Sequence, residues 1–371
     1  MPRPIQAVVH LDALQHNLNI AKQTTPNAQV FAVVKANAYG HGIQHVYAAL
    51  QQADGFALLD LAEAKQLRDL GWQGKILLLE GIFQPQDLMQ CAELDLSFSL
   101  HSQHQIDWLA EFQQQQQQPQ AKFDVYLKMN SGMNRLGFQA QDYAEVFKRL
   151  QTFSNVRSIT HMTHFSDADG QRFAQEGIRH QYLVFQETVQ ALGGLTSVSN
   201  SAAILRHHSQ IQSDIVRSGI MLYGSSPNYP IHSITDWNLK PSMSLRSEII
   251  AIQQIKAGQT VGYGSHFIAQ HDMRIGVVAC GYADGYQRIS PTATPVLVDS
   301  KRSHIVGRVS MDMLVVDLTE HATAKVGSEV VLWGQSTQGA VLSIDEVAAA
   351  SDTLGYELMC GVTARVPMTT E

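Results

Sequence analysis

Eight short apolar runs, separated by segments of helical rhythm, constrain this chain more than any other feature of its sequence. The runs are VFAVV (30–34), GFALL (55–59), KILLL (75–79), LDLSFSL (94–100), FDVYLK (123–128), VRSIT (156–160), TSVS (196–199) and DIVRSGI (214–220). Between them, apolar residues recur at helical spacing, as in Leu11, Leu14, Leu18, Ala21 and in Ile43, Val46, Tyr47, Leu50. Runs that are apolar on both faces suit strands covered on both sides, the situation inside a parallel sheet clothed in helices. Eight strand–helix units in roughly 200 residues is the arithmetic of a (β/α)8 barrel. A doubly wound sheet is the competitor, but no G-x-G-x-x-G turn opens a helix here.

Around residues 225–241 the rhythm changes, with prolines at 227, 230 and 241 and no strong helical period. Beyond lie β-like runs, LRSEIIAIQQI, RIGVVA, PVLVD, HIVGRVS, MLVVDL and EVVLW, separated by glycine-containing turns. Ser343 with Glu346 reads as a capping box opening a helix over IDEVAAA. The expected class is therefore α/β: an N-terminal (β/α)8 TIM-type barrel over 8–230, then a mostly β C-terminal domain over 231–371. Residues 1–7 are expected to pack with the latter. The glutamine run 113–118, closed by Pro119, reads as a helix end or solvated loop.

Composition narrows the partners. With 44% hydrophobic and 16% charged residues the chain can build a core and is not disordered. A net charge of −7 argues against nucleic acid or an anionic membrane as the main partner. Cys91, Cys280 and Cys360 are too few and too widely spaced for a disulfide framework or a zinc pattern. No apolar stretch approaches a spanning helix and the N-terminus lacks a signal peptide, so the expectation is a cytoplasmic protein.

In such a barrel, reactive groups gather where strands end. Lys35 closes the first run, where desolvation would lower the amine's pKa and make it fit for Schiff-base chemistry; the alternative is a lysine snorkelling from a barrel end. Lys128 closes the fifth run, and Arg135 follows in KMNSGMNRLG; alone, this reads as a structural ion pair. His161 and His164 follow the sixth run and suit either a metal site or hydrogen-bonded rim positions. Asn200 and Ser201 open a helix whose N-terminus could hold a phosphate, and Arg217 with Gly219 and Ile220 lies on the eighth run. Together these describe a rim with an amine at one side and a phosphate cradle at the other, which a phosphorylated aldehyde would span.

The segments AVVKANAYGHG (32–42), KMNSGMNRLG (128–137), THFSDAD (163–169), SNSAA (199–203), VRSGIMLYG (216–224), VGYGSHF (261–267), GYADGY (281–286), GRVSMD (307–312) and GYELMC (355–360) carry a resemblance that runs the length of the chain. In that order they resemble the alanine racemases, fold-type III enzymes dependent on pyridoxal 5'-phosphate. The resemblance implies interconversion of L- and D-alanine by two bases, supplying D-alanine for peptidoglycan or serving alanine catabolism. It implies that Lys35 forms the Schiff base with the cofactor and is one base, with Tyr263 the other. Tyr39, Ser201, Gly219, Ile220 and Tyr356 would hold the phosphate, with Asn200 nearby. Arg217 would meet the pyridine nitrogen, and His164 would lie by the ring and bond to Arg217. Arg135 and Met311 would bind substrate, Tyr282 and Asp312 would line the mouth, and Lys128 would be open to carbamylation.

The same resemblance implies a homodimer with shared active sites, and no metal. Ser310 stands where many relatives carry cysteine. Two competing readings are a fold-type III amino-acid decarboxylase and a metal-dependent barrel hydrolase using carboxylated Lys128 with His161, His164 and Asp167. The first lacks a place for the segments around Tyr263 and Met311; the second lacks the H-x-H pair usual on such a barrel's first strand.

Overall fold

The structure, a computed structural model, describes residues 3–115, 120–172 and 175–371. The chain divides into two compact units, one of Asn17–Ala38 with Tyr47–Leu222, the other of Met1–His16, Tyr39–Val46 and Tyr223–Glu371.

Counting from the chain start, β1 (Gln6–Val9) belongs to the second of these, and the first is built on β2 (Gln29–Val33), β3 (Gly55–Leu58), β4 (Lys75–Leu78), β5 (Ser97–Leu100), β6 (Phe123–Asn130), β7 (Val156–Met162), β8 (Leu195–Ser197) and β9 (Ile215–Ser218). Every one of the eight apolar runs supplies a strand. They are parallel and ordered β8-β7-β6-β5-β4-β3-β2-β9, a nearly closed barrel with helices between strands. Residues of β3, β5 and β9 are buried without alternation, as strands covered on both faces require. At the seam between β8 and β9 side chains do part of a ladder's work: the Asp214 carboxylate accepts the Thr196 amide at 2.7 Å and its hydroxyl at 2.9 Å, while the Ser213 hydroxyl accepts the Val198 amide at 3.1 Å. Of the glutamine run, Gln113 and Gln114 close the helix Gln103–Gln114, and residues 116–119 lie outside the described residues.

The other unit is a mostly antiparallel β structure. Its strands β10 (Met243–Ile255), β11 (Met273–Val278), β12 (Pro295–Val298), β13 (Lys301–His304), β14 (Leu314–Asp317), β15 (Glu329–Gln335) and β16 (Met368–Thr370) join β1; one path runs β13-β12-β15-β10-β1-β16, and off it β11 pairs with β10 and β14 with β11. The long β10 serves three partners: its first half pairs with β1 on one edge and β15 on the other, its second half pairs with β11, and the register shifts near Ile249–Ala251. The run HIVGRVS differs from expectation. Its His304 ends β13, and beyond it the run contributes only the bridge Ile305↔Val316, because Gly307 turns the chain at φ +75. The helix Ile344–Ala350 is capped by Ser343, whose hydroxyl accepts the Asp345 amide at 3.1 Å, but no capping box reciprocates: Glu346 instead takes a two-point ion pair from Arg302 at 2.8 and 2.9 Å. No described helix is long and apolar enough to cross a membrane.

Candidate active site

Lys35 follows β2 and starts an unusual turn. Ala36, Asn37, Ala38 and Tyr39 all have φ between +52 and +55, one turn of left-handed helix, and Gly40 continues at +81. Each non-glycine residue held there costs about 1–2 kcal/mol, so the surroundings must over-determine it. Two bonds are in place: the Ala38 amide donates to Val34 O at 2.8 Å, and the Asn37 amide donates to a Glu63 carboxylate oxygen at 2.7 Å. Burial raises the Glu63 carboxyl above its ordinary range, against the pull of that bond. The turn fixes where the Lys35 side chain starts and delivers Tyr39.

Around the same rim the charges are unusually uniform in sign. Lys128, on β6, is 6% exposed and its amine is pulled from 10.5 to about 8, first by burial, then by Arg217, Arg135 and Lys35, with Glu80 opposing. Arg217, on β9, is 4% exposed, and burial draws its guanidinium down to about 10, still protonated at neutral pH. Nη1 donates to the Ser197 carbonyl and hydroxyl, both at 2.7 Å, and Nη2 to Thr163 O at 2.8 Å and His164 Nδ1 at 3.4 Å. Guanidinium nitrogens only donate, so His164 Nδ1 accepts and the imidazole is neutral with its proton on Nε2. Burial and the cations Arg217, Lys128, Arg135 and Lys35 hold His164 well below its ordinary range, in agreement.

The helix Ser201–His207 begins beside this group. Asn200 is its N-cap, its side-chain oxygen accepting the Ala203 amide at 3.0 Å. Ser201 Oγ accepts the amides of Gly219 at 2.9 Å and Met221 at 3.3 Å, so a hydroxyl, a helix start and the backbone of residues 219–221 converge.

His161 does not join this rim. Strand residues alternate between faces, and His161 turns outward to the helix Ala140–Gln151. There Nε2 donates to Gly193 O at 2.7 Å, Nδ1 lies 3.0 Å from the Tyr143 hydroxyl, and the ring lies 4.9 Å from that of Phe147. The set a barrel hydrolase would need is thus divided. Among the described residues no group of three His, Cys, Asp or Glu could hold a metal ion.

The other unit carries the remaining residues. The Tyr39 ring stacks on Tyr223 at 4.5 Å and lies 5.8 Å from that of Tyr356. Burial, then the Tyr356 and Cys360 groups, pushes the Tyr39 phenol above its ordinary range, so it remains a protonated donor. Tyr263 lies in a short 3-10 turn between glycines 262 and 264 at φ +75 and is 74% exposed. Tyr282 and Met311 are exposed and sit on two loops laid together: the Tyr282 amide donates to Ser310 O at 3.0 Å and the Ala283 amide to Met311 O at 2.9 Å. Asp312 accepts from Arg365 at 2.7 Å.

The sequence pattern left out Glu63, Ser197, Arg3 and Asp284, which hold these residues in place. Ser197 lay within a quoted run, and Asp284 within GYADGY, so both had a local signal.

The model of the alanine racemase N-terminal domain matches residues 9–227, and that of the alanine racemase C-terminal domain matches residues 242–370. The chain belongs to the alanine racemase family. The alanine racemase of Acinetobacter baumannii (strain SDF) is 64% identical over 366 residues, covering 99% of this chain and 98% of that protein. That of Methylibium petroleiphilum is 56% identical over 370 residues, covering 99% and 98%. Among solved structures, the biosynthetic alanine racemase from Pseudomonas aeruginosa superposes with a TM-score of 0.92 at 42% identity, covering 100% of this chain and 99% of that one. The alanine racemase from Acinetobacter baumannii gives 0.89 at 38% identity, covering 100% of both. Both the barrel and the β unit are thus family features.

Proposed function

We propose that this chain is an alanine racemase that binds pyridoxal 5'-phosphate through Lys35. The observation that carries the reading is the cationic rim: Lys35, Arg135 and Arg217 press on Lys128, all four press on His164, and such a rim calls for an anionic ligand. A phosphorylated, phenolate-bearing aldehyde answers that call, and the Ser201–Gly219–Met221 cluster offers its phosphate a hydroxyl and backbone donors. Bound there, pyridoxal phosphate supplies the conjugation that spreads the negative charge left when alanine loses its α-proton.

The chain's own residues account for the rest. Lys35 would hold the cofactor covalently and, once released by substrate, move the proton at one face of Cα. Tyr263 Oη would serve the opposite face. Arg217 would donate to the pyridine nitrogen; being unable to give up its proton there, it would leave that nitrogen uncharged. His164, neutral and bonded to Arg217, would lie by the ring. Tyr39, Ser201, Gly219, Ile220 and Tyr356 would bind the phosphate, with the Asn200 cap fixing the helix start. Arg135 and the Met311 backbone would orient the alanine carboxylate, with Tyr282 and Asp312 at the mouth.

Lys128 would work best as a carbamate, which replaces a cation among cations by an anion that can orient Arg135. The bases lie in different units of the chain, and a homodimer in which one subunit's Tyr263 meets its partner's Lys35 would use the high exposure of Tyr263. Cys91, Cys280 and Cys360 form no disulfide, which suits a reducing compartment such as the cytoplasm.

The test is direct: racemisation of L-alanine by the purified, cofactor-loaded protein, with borohydride trapping and peptide mapping. Label at Lys35 in an active preparation supports the reading. An active preparation labelled elsewhere, or a loaded protein that leaves alanine unchanged, overturns it.

A further inference from the structure

Three distant parts of the β unit meet at one buried carboxylate. The Asp284 side chain is 0% exposed. It accepts a fork from Arg3, Nη1 at 2.6 Å and Nη2 at 2.9 Å, the Gly281 amide at 2.9 Å, and an ion pair from Arg365 Nε at 3.1 Å. The same Arg3 Nη2 donates to the carbonyl of Asp312 at 2.7 Å, and Arg365 Nη2 donates to the Asp312 carboxylate at 2.7 Å. One guanidinium therefore ties the loop of Tyr282 to the loop of Met311. A buried carboxylate without such partners would be costly, so the arrangement is held strongly or not at all.

The consequence falls on the direction of a backbone N–H. The Tyr282 amide donates to Ser310 O, which points that carbonyl at the Tyr282 loop. In a trans peptide the N–H opposes the C=O, so the Met311 N–H points the other way. Its aim is set by where the Tyr282 loop sits, and that loop is pinned at Asp284. Close packing leaves no slack: a Cβ on Gly281 would lie 2.3 Å from Ser310 O and 2.4 Å from Met311 O.

We propose that Arg3 and Asp284 are positioning residues for substrate, aiming the Met311 N–H and seating Tyr282, so that Arg3 at the start of the chain sets the Michaelis constant for alanine. This deepens the proposed racemase reading and rests on Met311 and Tyr282 facing substrate. Neither residue touches the reacting atoms; both act through the two loops.

The experiment compares wild type with Arg3→Gln and Arg3→Lys in the cofactor-loaded full chain. Arg3 is partly exposed, so its loss leaves the fold standing, unlike removal of Asp284. Steady-state racemisation and amide hydrogen exchange are measured together. Loss of a charge-assisted fork should raise KM for alanine roughly fivefold to tenfold while changing kcat by less than about twofold. Amides of 281–286 and 310–313 should exchange roughly tenfold faster, with barrel peptides unchanged. Arg3→Lys, which keeps charge but not the fork, should fall between. Unchanged exchange at both loops, or loosened loops with a wild-type KM, overturns the inference. If wild type does not racemise alanine, it is the function reading that fails, and loosened loops in Arg3→Gln would still establish the tie.

Discussion

Lys128 offers a test in which stability and chemistry pull in opposite directions. Its amine is buried among Arg217, Arg135 and Lys35, and these neighbours with burial bring it from 10.5 to about 8. That displacement is worth about 3 kcal/mol, charged to the folded state wherever the amine is protonated. The sign follows from proton counting. Below about pH 8 both folded and unfolded chains carry the proton, and the whole cost is present. Between about 8 and 10.5 the unfolded chain holds a proton that the folded one lacks, so stability rises with pH across that window. In carbon dioxide-free buffer at pH 7, Lys128→Met in the cofactor-free protein should therefore unfold at higher urea than wild type, by up to about 3 kcal/mol, because an uncompensated buried charge gives way to an apolar side chain. The gap should close as pH climbs towards 10.5. The same displacement leaves roughly a quarter of the amine neutral at about pH 7.5, against roughly 0.1% for an ordinary lysine. A neutral amine can attack carbon dioxide, forming an N–C bond and releasing a proton, so labelled bicarbonate should give a carbamate carbon signal in wild type and none in Lys128→Met. A substitution that fails to stabilise at pH 7, or a gap that does not change with pH, would show that Lys128 is not burdened by its neighbours and would refute the reasoning.

Other outcomes follow from the same geometry. Lys35→Ala should bind no borohydride-reducible cofactor and lose racemisation, measured by label incorporation and a chiral assay. Mixed Lys35→Ala and Tyr263→Phe subunits should regain activity after verified exchange if sites are shared across a dimer; no recovery would place both bases in one chain. Asn200→Ala should cost the helix Ser201–His207 about 1 kcal/mol of capping and weaken cofactor retention on dialysis, because Ser201 would lose its fixed start. Gly40→Ala should disrupt the chain after Tyr39, since φ is +81 and the new Cβ would lie 2.2 Å from Met359 O; soluble yield and melting temperature report it.

What the sequence revealed and what it hid separate along the range of the forces involved. The barrel was legible because burial on both faces writes itself locally, as an unbroken apolar run, and each of the eight runs became a strand. Lys35 was legible for the same reason: a charged residue that ends such a run must lie at a barrel mouth. His161 was misplaced because the run VRSIT predicts a strand without giving its phase, and one residue's difference turns a side chain from the rim to the outer helices. The left-handed turn after Lys35 was invisible, since Ala-Asn-Ala-Tyr carries little of the usual signal for positive φ; Asn is the single residue there that visits it readily. That conformation is held in part from elsewhere, by the Glu63 carboxylate on the Asn37 amide, and structure imposed from a distance leaves no local mark. The Arg3–Asp284–Asp312 tie is the extreme case, joining positions 281 residues apart through one fork. Sites of this kind are held by residues whose identities are unremarkable in sequence, because their work is to fix the direction of someone else's backbone. The groups expected to face substrate were named by a family resemblance, while the side chains proposed to aim them had to be read from hydrogen bonds. Substitutions that preserve the chemistry in this protein can therefore still alter its affinity, most of all at Arg3, where nothing in the motif pattern would lead one to look.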